Sequence, residues 1–259
     1  MGLAGDDLRD LRYARDLLEN PGLAAKIANR FGTPIEKGFK LLPVGWSEAV
    51  LEATRVALRK VLDLAVITLN EKTDTPSTDW IHKMMVATTG AAGGAFGLMA
   101  LSVELPLSTM IMFRSVADIA RSEGEEIRSI YTKLACLEVF ALGGKSSKDD
   151  ATETGYFAVR MALASAMSKA INYIAQKGLM EEGAPVLVRL ITKIASRFSV
   201  VVSEKVAAQA VPIVGAVGGA LVNTIFMDHF QDIARGHFII RRLERFYGPE
   251  EVQRQYESL

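Results

Sequence analysis

The sequence predicts an all-α protein, a multi-helix bundle that contains two glycine-rich apolar helices or hairpins. Apolar residues recur three and four positions apart along most of the chain, and the longest such stripe runs from Leu51 to Leu69. Two long stretches, residues 84–103 and 206–227, contain no charged residue. Each carries a glycine cluster, formed by Gly90, Gly93, Gly94 and Gly97 in the first stretch and by Gly215, Gly218 and Gly219 in the second.

The composition excludes several classes of protein. Cys136 is the only cysteine, so the chain can form neither an intramolecular disulfide nor a zinc site built on several thiolates. The 30 basic residues balance 30 acidic ones, which leaves no broad positive surface for nucleic acid. Charges from Asp6 to Asp10 lie where a secretory signal needs its apolar core. We therefore expect a cytoplasmic protein, peripheral to the inner membrane.

Turn and capping residues divide the N-terminal half of the chain. Asn20-Pro21-Gly22 is expected to end the first helix, and Thr33-Pro34-Ile35-Glu36 has the form of a capping box that opens the next one. Residues 71–78 form a polar loop before the first glycine-rich stretch. Because proline cannot donate a helix hydrogen bond, we expect one helix to stop within Glu104-Leu105-Pro106 and another to begin at Pro106.

The same signals predict the helices of the C-terminal half. Two helices are expected, one at residues 106–122 that is stopped by Gly124 and one at residues 125–142 that is stopped by Gly143 and Gly144. A hydrophilic loop follows at 145–153, and a further helix covers 155–176. Pro185 opens a helix toward Phe198. The β-branched run 199–203 has no partner strand, so we assign it to a helix.

Several motifs resemble those of a known family. They are residues 137–144 (Leu-Glu-Val-Phe-Ala-Leu-Gly-Gly), residues 155–160 (Gly-Tyr-Phe-Ala-Val-Arg), residues 211–220 with Asn223 and residues 226–238, and the first glycine-rich stretch leading into Glu104-Leu105-Pro106. With these motifs the chain resembles the EcsC family of bacterial proteins. The resemblance covers residues 45–248, so residues 1–44 form an N-terminal helical segment outside it and residues 249–259 a C-terminal tail.

The resemblance implies an all-helical fold and a bacterial origin. The family takes its name from a gene beside an ABC exporter, and it has no settled biochemical activity. Some members are loosely labelled peptidases, yet the resemblance supplies no catalytic residue that could be carried over to this sequence.

The glycine clusters permit three arrangements. About twenty apolar residues suffice to cross a bilayer, but glycine adds little insertion energy and Glu104 would cost about 3 kcal/mol near the bilayer centre. In the second arrangement, glycine lets two helices pack closely inside a core. In the third, the glycines form a flat face that contacts lipid, since Gly90 and Gly94, Gly93 and Gly97, and Gly215 and Gly219 each lie four apart.

Polar side chains inside the apolar helices are expected to be either paired or functional. Arg114 and Asp118 lie four apart, which predicts an ion pair within one helix. Glu138 and Arg160 lie on otherwise apolar faces, and each is a candidate to neutralise the other. With Asn223, these four residues form the predicted structural polar set.

One group of residues has the chemistry of acids, bases or metal ligands. On a continuous helix His229 and Asp232 share a face, as do Asp228 and Asp232, and His237 lies two turns beyond His229. No zinc-protease motif, nucleophile elbow or phosphate-binding loop is present, and we predict neither a metal nor a cofactor. The candidate catalytic residues are Glu104, Asp228, His229, Asp232 and His237; the alternative is a capped and hydrogen-bonded helix end.

Two further features bear on a membrane surface. Trp46 and Trp80 precede long helices, where tryptophan either anchors at a membrane interface or covers the end of a core. Residues 235–254 are rich in arginine and could meet anionic headgroups, although the interspersed glutamates favour a solvated face with local ion pairs.

The sequence therefore predicts a non-enzymatic helical protein that contacts membrane lipid or a membrane-protein partner at the cytoplasmic face, as an accessory to export. Lipid contact is assigned to the seven glycines of the two clusters. The alternative is a hydrolase, directed at peptides or lipids, that uses the acidic and histidine residues. A third interpretation is a homo-oligomer that packs through the same glycine faces.

Overall fold

The described part of the chain is helical. The computed structural model describes residues 3, 5–19, 22–32, 35–70, 97–144, 155–177 and 184–259, and these residues contain ten α-helices and no strand. The predicted all-α fold is thus confirmed. The helices are α1 (Gly5–Glu19), α2 (Leu23–Phe31), α3 (Glu36–Phe39), α4 (Trp46–Asn70), α5 (Gly97–Ser122), α6 (Ile130–Leu142), α7 (Tyr156–Lys177), α8 (Pro185–Ala210), α9 (Pro212–Tyr247) and α10 (Pro249–Ser258).

Helix α6 lies at the centre of the bundle. Every residue from Thr132 to Leu142 is buried, and α4, α5, α7, α8 and α9 all pack against this helix. A helix that is apolar on all sides has no face to present to water, so its neighbours must cover it completely. Aromatic contacts join it to α8 and α9, because the Phe140 ring lies 5.0 Å from Phe198 and 5.5 Å from Phe230.

Helix α5 continues through Pro106, so the predicted break at that residue is wrong. Pro106 has no N–H to donate to the preceding turn. The hydroxyls of Ser108 and Thr109 donate to the Leu105 carbonyl, at 3.2 and 2.6 Å, so both side chains are bonded within the helix. Leu105 and Pro106 are both buried, and burial of this apolar face offsets the loss of one backbone hydrogen bond.

Other boundaries follow from local capping. Helix α6 begins at Ile130 rather than at residue 125, because Ser129 caps it by accepting from the N–H of Tyr131 at 3.3 Å. Residues 199–203 lie within α8, as predicted. The predicted capping residues Thr33 and Pro34 and the predicted loops at 71–78 and 145–153 lie outside the described residues.

Helix α1 packs along α9, so the N-terminal segment shares the core of the bundle. The approach is close at Gly236, where a Cβ would lie 2.8 Å from Leu18 Cγ and 2.9 Å from the Ala14 carbonyl oxygen. Near the end of α9, the Tyr247 hydroxyl donates to Asp7 at 2.6 Å.

Helix α3 is held against the C-terminal part of α8 by a backbone contact. A Cβ at Gly38 would lie 1.8 Å from the carbonyl oxygen of Ala207 and 2.5 Å from its carbonyl carbon. The obstacle is backbone, which cannot rotate away as a side chain can. The position of α3 on α8 therefore depends on the absence of a side chain at residue 38.

We expect Gly38→Ala to lower the free energy of unfolding by about 2 kcal/mol or more, because α3 must move away from α8 to accommodate the methyl group. Gly5→Ala is the matched control, since nothing lies within 4 Å of the position that a Cβ would take there. Urea unfolding followed by circular dichroism measures both variants. Equal stability of the two would contradict the close contact.

Candidate functional site

The candidate catalytic residues contact different elements of the bundle. Asp228 is exposed, whereas His229 and His237 are buried. Among the described residues, no group of three histidine, cysteine, aspartate or glutamate side chains could hold a metal ion. The partners are Lys205 for Glu104 (2.7 Å), the Gly143 carbonyl for His229 (3.0 Å), Lys26 for Asp232 (2.9 Å) and the Tyr156 hydroxyl for His237 (2.9 Å).

Three buried polar side chains, Glu138 of α6, Tyr156 of α7 and His237 of α9, lie next to one another. The Tyr156 hydroxyl is hydrogen-bonded to Nδ1 of His237 at 2.9 Å, and Nε2 of the same ring lies 3.9 Å from Oε2 of Glu138, beyond hydrogen-bond reach. Within the described residues, this Nε2 atom has no hydrogen-bond partner. Burial lowers the pKa of His237 well below its ordinary value, and the charges of Arg160 and Arg241 lower it further. The imidazole is therefore neutral at physiological pH.

Glu138 is buried without a direct bond to Arg160, which was its predicted partner. Arg160 instead forms two hydrogen bonds with Glu244, at 2.6 and 3.0 Å, and its guanidinium lies 5.3 Å from the Tyr156 ring. Burial raises the pKa of Glu138 to about 7, although the charges of Arg160 and Arg241 oppose the shift. Arg160 thus acts on Glu138 through its charge alone.

The other predicted structural polar residues lie near helix surfaces. Asp118 pairs with Arg121 at 3.1 Å rather than with Arg114, and both members of that pair are largely exposed. Such a pair contributes little to stability. Asn223 accepts a hydrogen bond from the Gln209 side chain at 3.4 Å, which joins α9 to the end of α8.

The arginines at the end of α9 are bound within the fold. Glu125, between α5 and α6, accepts from Arg241 at 2.9 Å and also from Arg245. Although burial opposes it, the hydrogen bond and charge of Arg241 hold the pKa of Glu125 below its ordinary value. Arg242 binds Glu123 at 2.7 Å. These cations tie α9 to the corner between α5 and α6 instead of forming a free basic surface.

A cleft of about 900 Å³ lies between α7, α8 and α10, and Tyr156 and Tyr256 line it. Helix α10 is formed by the predicted tail. Two cations of the cleft are bound to backbone carbonyls, since Lys193 donates to Ala162 at 2.9 Å and Arg197 to Ala141 at 3.1 Å. Both tyrosines are buried and Arg15 and Glu19 of α1 also line the cleft, so its surface is mixed, and the charges of Lys193 and Arg197 already serve the fold.

Three elements meet on the last turns of α8. We call this region the apical end, and it consists of residues 205–210 of α8, residues 36–45 of α3 and the loop after it, residues 97–104 of α5 and residues 212–223 of α9. Both uncharged stretches contribute described residues to it, because α5 begins within the first stretch and the second stretch covers the last turn of α8 and the first turns of α9. The contacts are Lys205 with Glu104 of α5 (2.7 Å), Ala207 with Gly38 of α3, and Gln209 with Asn223 of α9 (3.4 Å).

The glycines assigned to lipid contact are described only in part. Gly219 is half-buried, and within the described residues nothing lies within 4 Å of the position that its Cβ would take. Among the described residues, no close helix contact requires glycine at this position. In the part of the chain that the structure describes, no helix is long and apolar enough to cross a bilayer. Gly90, Gly93 and Gly94 lie outside the described residues, as do the surroundings of Gly97, Gly215 and Gly218.

The apical end exposes apolar side chains that the sequence analysis did not single out. Val103 of α5 is 67% exposed, and between α3 and α4 Leu41 is 57% and Val44 105% exposed. Trp46, a predicted interface residue, is half-buried beside them. The signal was present in the sequence, because residues 41–44 form an apolar run that belongs to no amphipathic stripe.

The fold is an all-α bundle around the buried part of α6, and its apical end exposes apolar side chains. The family model described as the EcsC protein family matches residues 7–243. The chain therefore belongs to the EcsC protein family. The match begins within α1, so it includes the first helices as well as the segment that carries the motifs. No curated protein and no solved structure matches the chain significantly.

We expect Glu138→Gln to become more stable relative to the wild type as pH rises. Between the ordinary pKa of 4.5 and about 7, folded Glu138 holds a proton that the unfolded chain has released, so its contribution to stability is lost across this window. Glutamine mimics the protonated acid at every pH. Urea unfolding from pH 5 to 8 should show the difference between variant and wild type grow by an amount on the order of 2 kcal/mol. A difference that does not change with pH would contradict the assignment.

We expect Glu244→Ala to cost about 3 kcal/mol, because it leaves the part-buried guanidinium of Arg160 without its carboxylate. Asp118→Ala removes a largely exposed partner of Arg121 and should change stability by less than about 0.5 kcal/mol. Thermal and urea unfolding at neutral pH compare the two. Similar losses in both variants would show that burial does not set the strength of the Arg160–Glu244 pair.

Proposed function

We propose that this EcsC family protein is a non-enzymatic, membrane-associated helical protein that contacts lipid through its apical end, at the cytoplasmic face of the membrane. The observation that carries the proposal is that the described parts of both uncharged stretches, which include residues 97–103 and 206–223, meet at this end. At this end Glu104 of α5 is bound to Lys205 of α8 at 2.7 Å. Asn223 of α9 is bound to Gln209 of α8 at 3.4 Å.

The apolar surface at the apical end supports contact with lipid. Val103 is 67% exposed, and full removal of a valine or leucine side chain from water contributes roughly 1.5–3 kcal/mol. Within the described residues no atom lies within 4 Å of the position that a Cβ of Gly219 would take, so α9 leaves room there for an approaching group. A flat helix face lets an acyl chain or another helix approach the backbone closely.

The charges at this end are compatible with a place at the membrane surface. Glu104 is neutralised by Lys205, whose side chain is 1% exposed and whose ammonium lies 4.9 Å from the Phe226 ring. A paired charge can lie beside the headgroup region at a lower cost than an isolated one. The apical end therefore combines exposed apolar side chains with a neutralised ion pair.

The family context supports a role next to a membrane protein. The family takes its name from a gene beside an ABC exporter, which favours an accessory role in export. The hydrolase alternative has less support, because Glu104, His229, Asp232 and His237 are each bound to a different element.

We expect the purified protein to float with phosphatidylglycerol-containing liposomes in a density gradient, because apolar side chains of the apical end leave water on binding. A gradient without liposomes is the control. Inner-membrane vesicles, untreated or digested with protease, distinguish lipid from a membrane-protein partner, since only binding to the partner is lost on digestion. Protein that stays in the dense fraction with liposomes and with both kinds of vesicle would contradict the proposal.

A further inference from the structure

We infer that the loop between α3 and α4, residues 41–45, enters the headgroup region of an anionic bilayer and is the first contact of the apical end with lipid. This inference rests on the proposed function and names the segment that carries it out. We call these residues the tip loop. Its exposed residues include Leu41, Pro43 and Val44, and Val44 is 105% exposed.

The exposed apolar residues of the tip loop lie within a span of four residues in the chain. Single exposed apolar side chains are common on proteins, whereas a contiguous exposed apolar group marks a surface that binds something. The loop is convex, with Val44 fully outside the bundle, so it offers a partner protein no groove to fill. A convex apolar tip fits a deformable surface such as a bilayer.

The tip loop is preorganised. Gly38, just before it, is fixed on the Ala207 backbone of α8, and the Trp46 ring, just after it, lies 5.5 Å from Phe39. Gly45 has a φ of 81°, which permits the sharp entry into α4. A rigid loop loses little conformational entropy on insertion, so more of the apolar contribution remains as affinity.

Three backbone N–H groups in and next to the loop are bonded internally, which lowers the cost for these groups of leaving water. The N–H of Leu41 donates to the Gly38 carbonyl at 3.0 Å, and that of Leu42 donates to Phe39 at 3.4 Å. The N–H of Trp46 donates to the Pro43 carbonyl within the same turn. Unbonded backbone groups would oppose entry into an apolar region.

Charged and aromatic neighbours favour an anionic headgroup layer. Lys37 and Lys40 are exposed directly before the tip loop, and each lysine near an anionic surface adds to binding. The acidic neighbours Glu36 and Glu48 lie in the first turns of α3 and α4, where they face the positive ends of those helices. Trp46 lies at the base of the loop, and tryptophan is enriched at the level of lipid headgroups.

The test compares two double variants in vesicle binding. Leu41→Ser with Val44→Ser should lower partitioning into phosphatidylglycerol-containing vesicles at least about tenfold, because two apolar side chains are lost from the bound state. The control is Met161→Ser with Phe246→Ser, which removes two side chains of similar exposure, 73% and 78%. Phe246 lies roughly 50 Å along α9 from its apical start, and the control should bind within about twofold of the wild type. Circular dichroism confirms that both variants fold.

A second measurement follows the loop directly. Trp80→Phe leaves Trp46 as the only tryptophan, and its emission should move to shorter wavelength and resist aqueous quenchers when anionic vesicles are added. Phosphatidylcholine vesicles should give a smaller effect. Normal vesicle binding by the tip-loop variant, with unchanged Trp46 emission, would overturn this inference and leave the proposed function standing.

The remaining outcomes also decide the question. If the wild type binds no vesicle and no native membrane, the proposed function and the inference both fail. If only protease-sensitive membranes bind it, or if the tip-loop variant changes the oligomeric state in light scattering, the loop docks on a protein or on a second copy of the chain, and the inference is overturned.

Discussion

Burial of α6 on every side is the constraint that organises the bundle. From Thr132 to Leu142 the helix has no exposed face, so five other helices pack around it, and its buried polar groups lie against those helices or the turn before α6. Lys133 donates to the Ala65 carbonyl of α4 at 2.7 Å, and burial lowers its pKa to about 8. Glu138 faces His237 of α9 at 3.9 Å. The interior polar residues therefore follow from the packing of one helix.

The length of α9 explains why its acidic and histidine residues serve different contacts. The helix runs from Pro212 to Tyr247 past several neighbours, so small changes in position along it turn side chains toward different elements. His229 reaches the end of α6, Asp232 reaches α2, and His237 reaches α7. Spacing along a long helix thus predicts shared faces, but it does not predict a shared site.

At the apical end, the contact that positions α3 also supports the surface for which we propose a function. Gly38 and Ala207 fix α3 on α8 by direct backbone contact, and this contact positions the exposed apolar loop that follows. A neutralised pair, Glu104 with Lys205, lies in the same region. A rigid support and an exposed apolar surface are the features on which the proposed contact with lipid depends.

The helical period, the helix ends before Gly124 and Gly143, the helix start at Pro185 and the family motifs were readable from the sequence, because they depend on local propensity and spacing alone. The sequence also indicated that Arg160 and Glu138 would be part of a buried polar set. Only the tertiary structure decided that Arg160 binds Glu244 and that α5 passes through Pro106. It also decided that Leu41 and Val44 face solvent. Partners, helix continuity and exposure are set by which distant segments pack together, and local spacing carries no information about that choice.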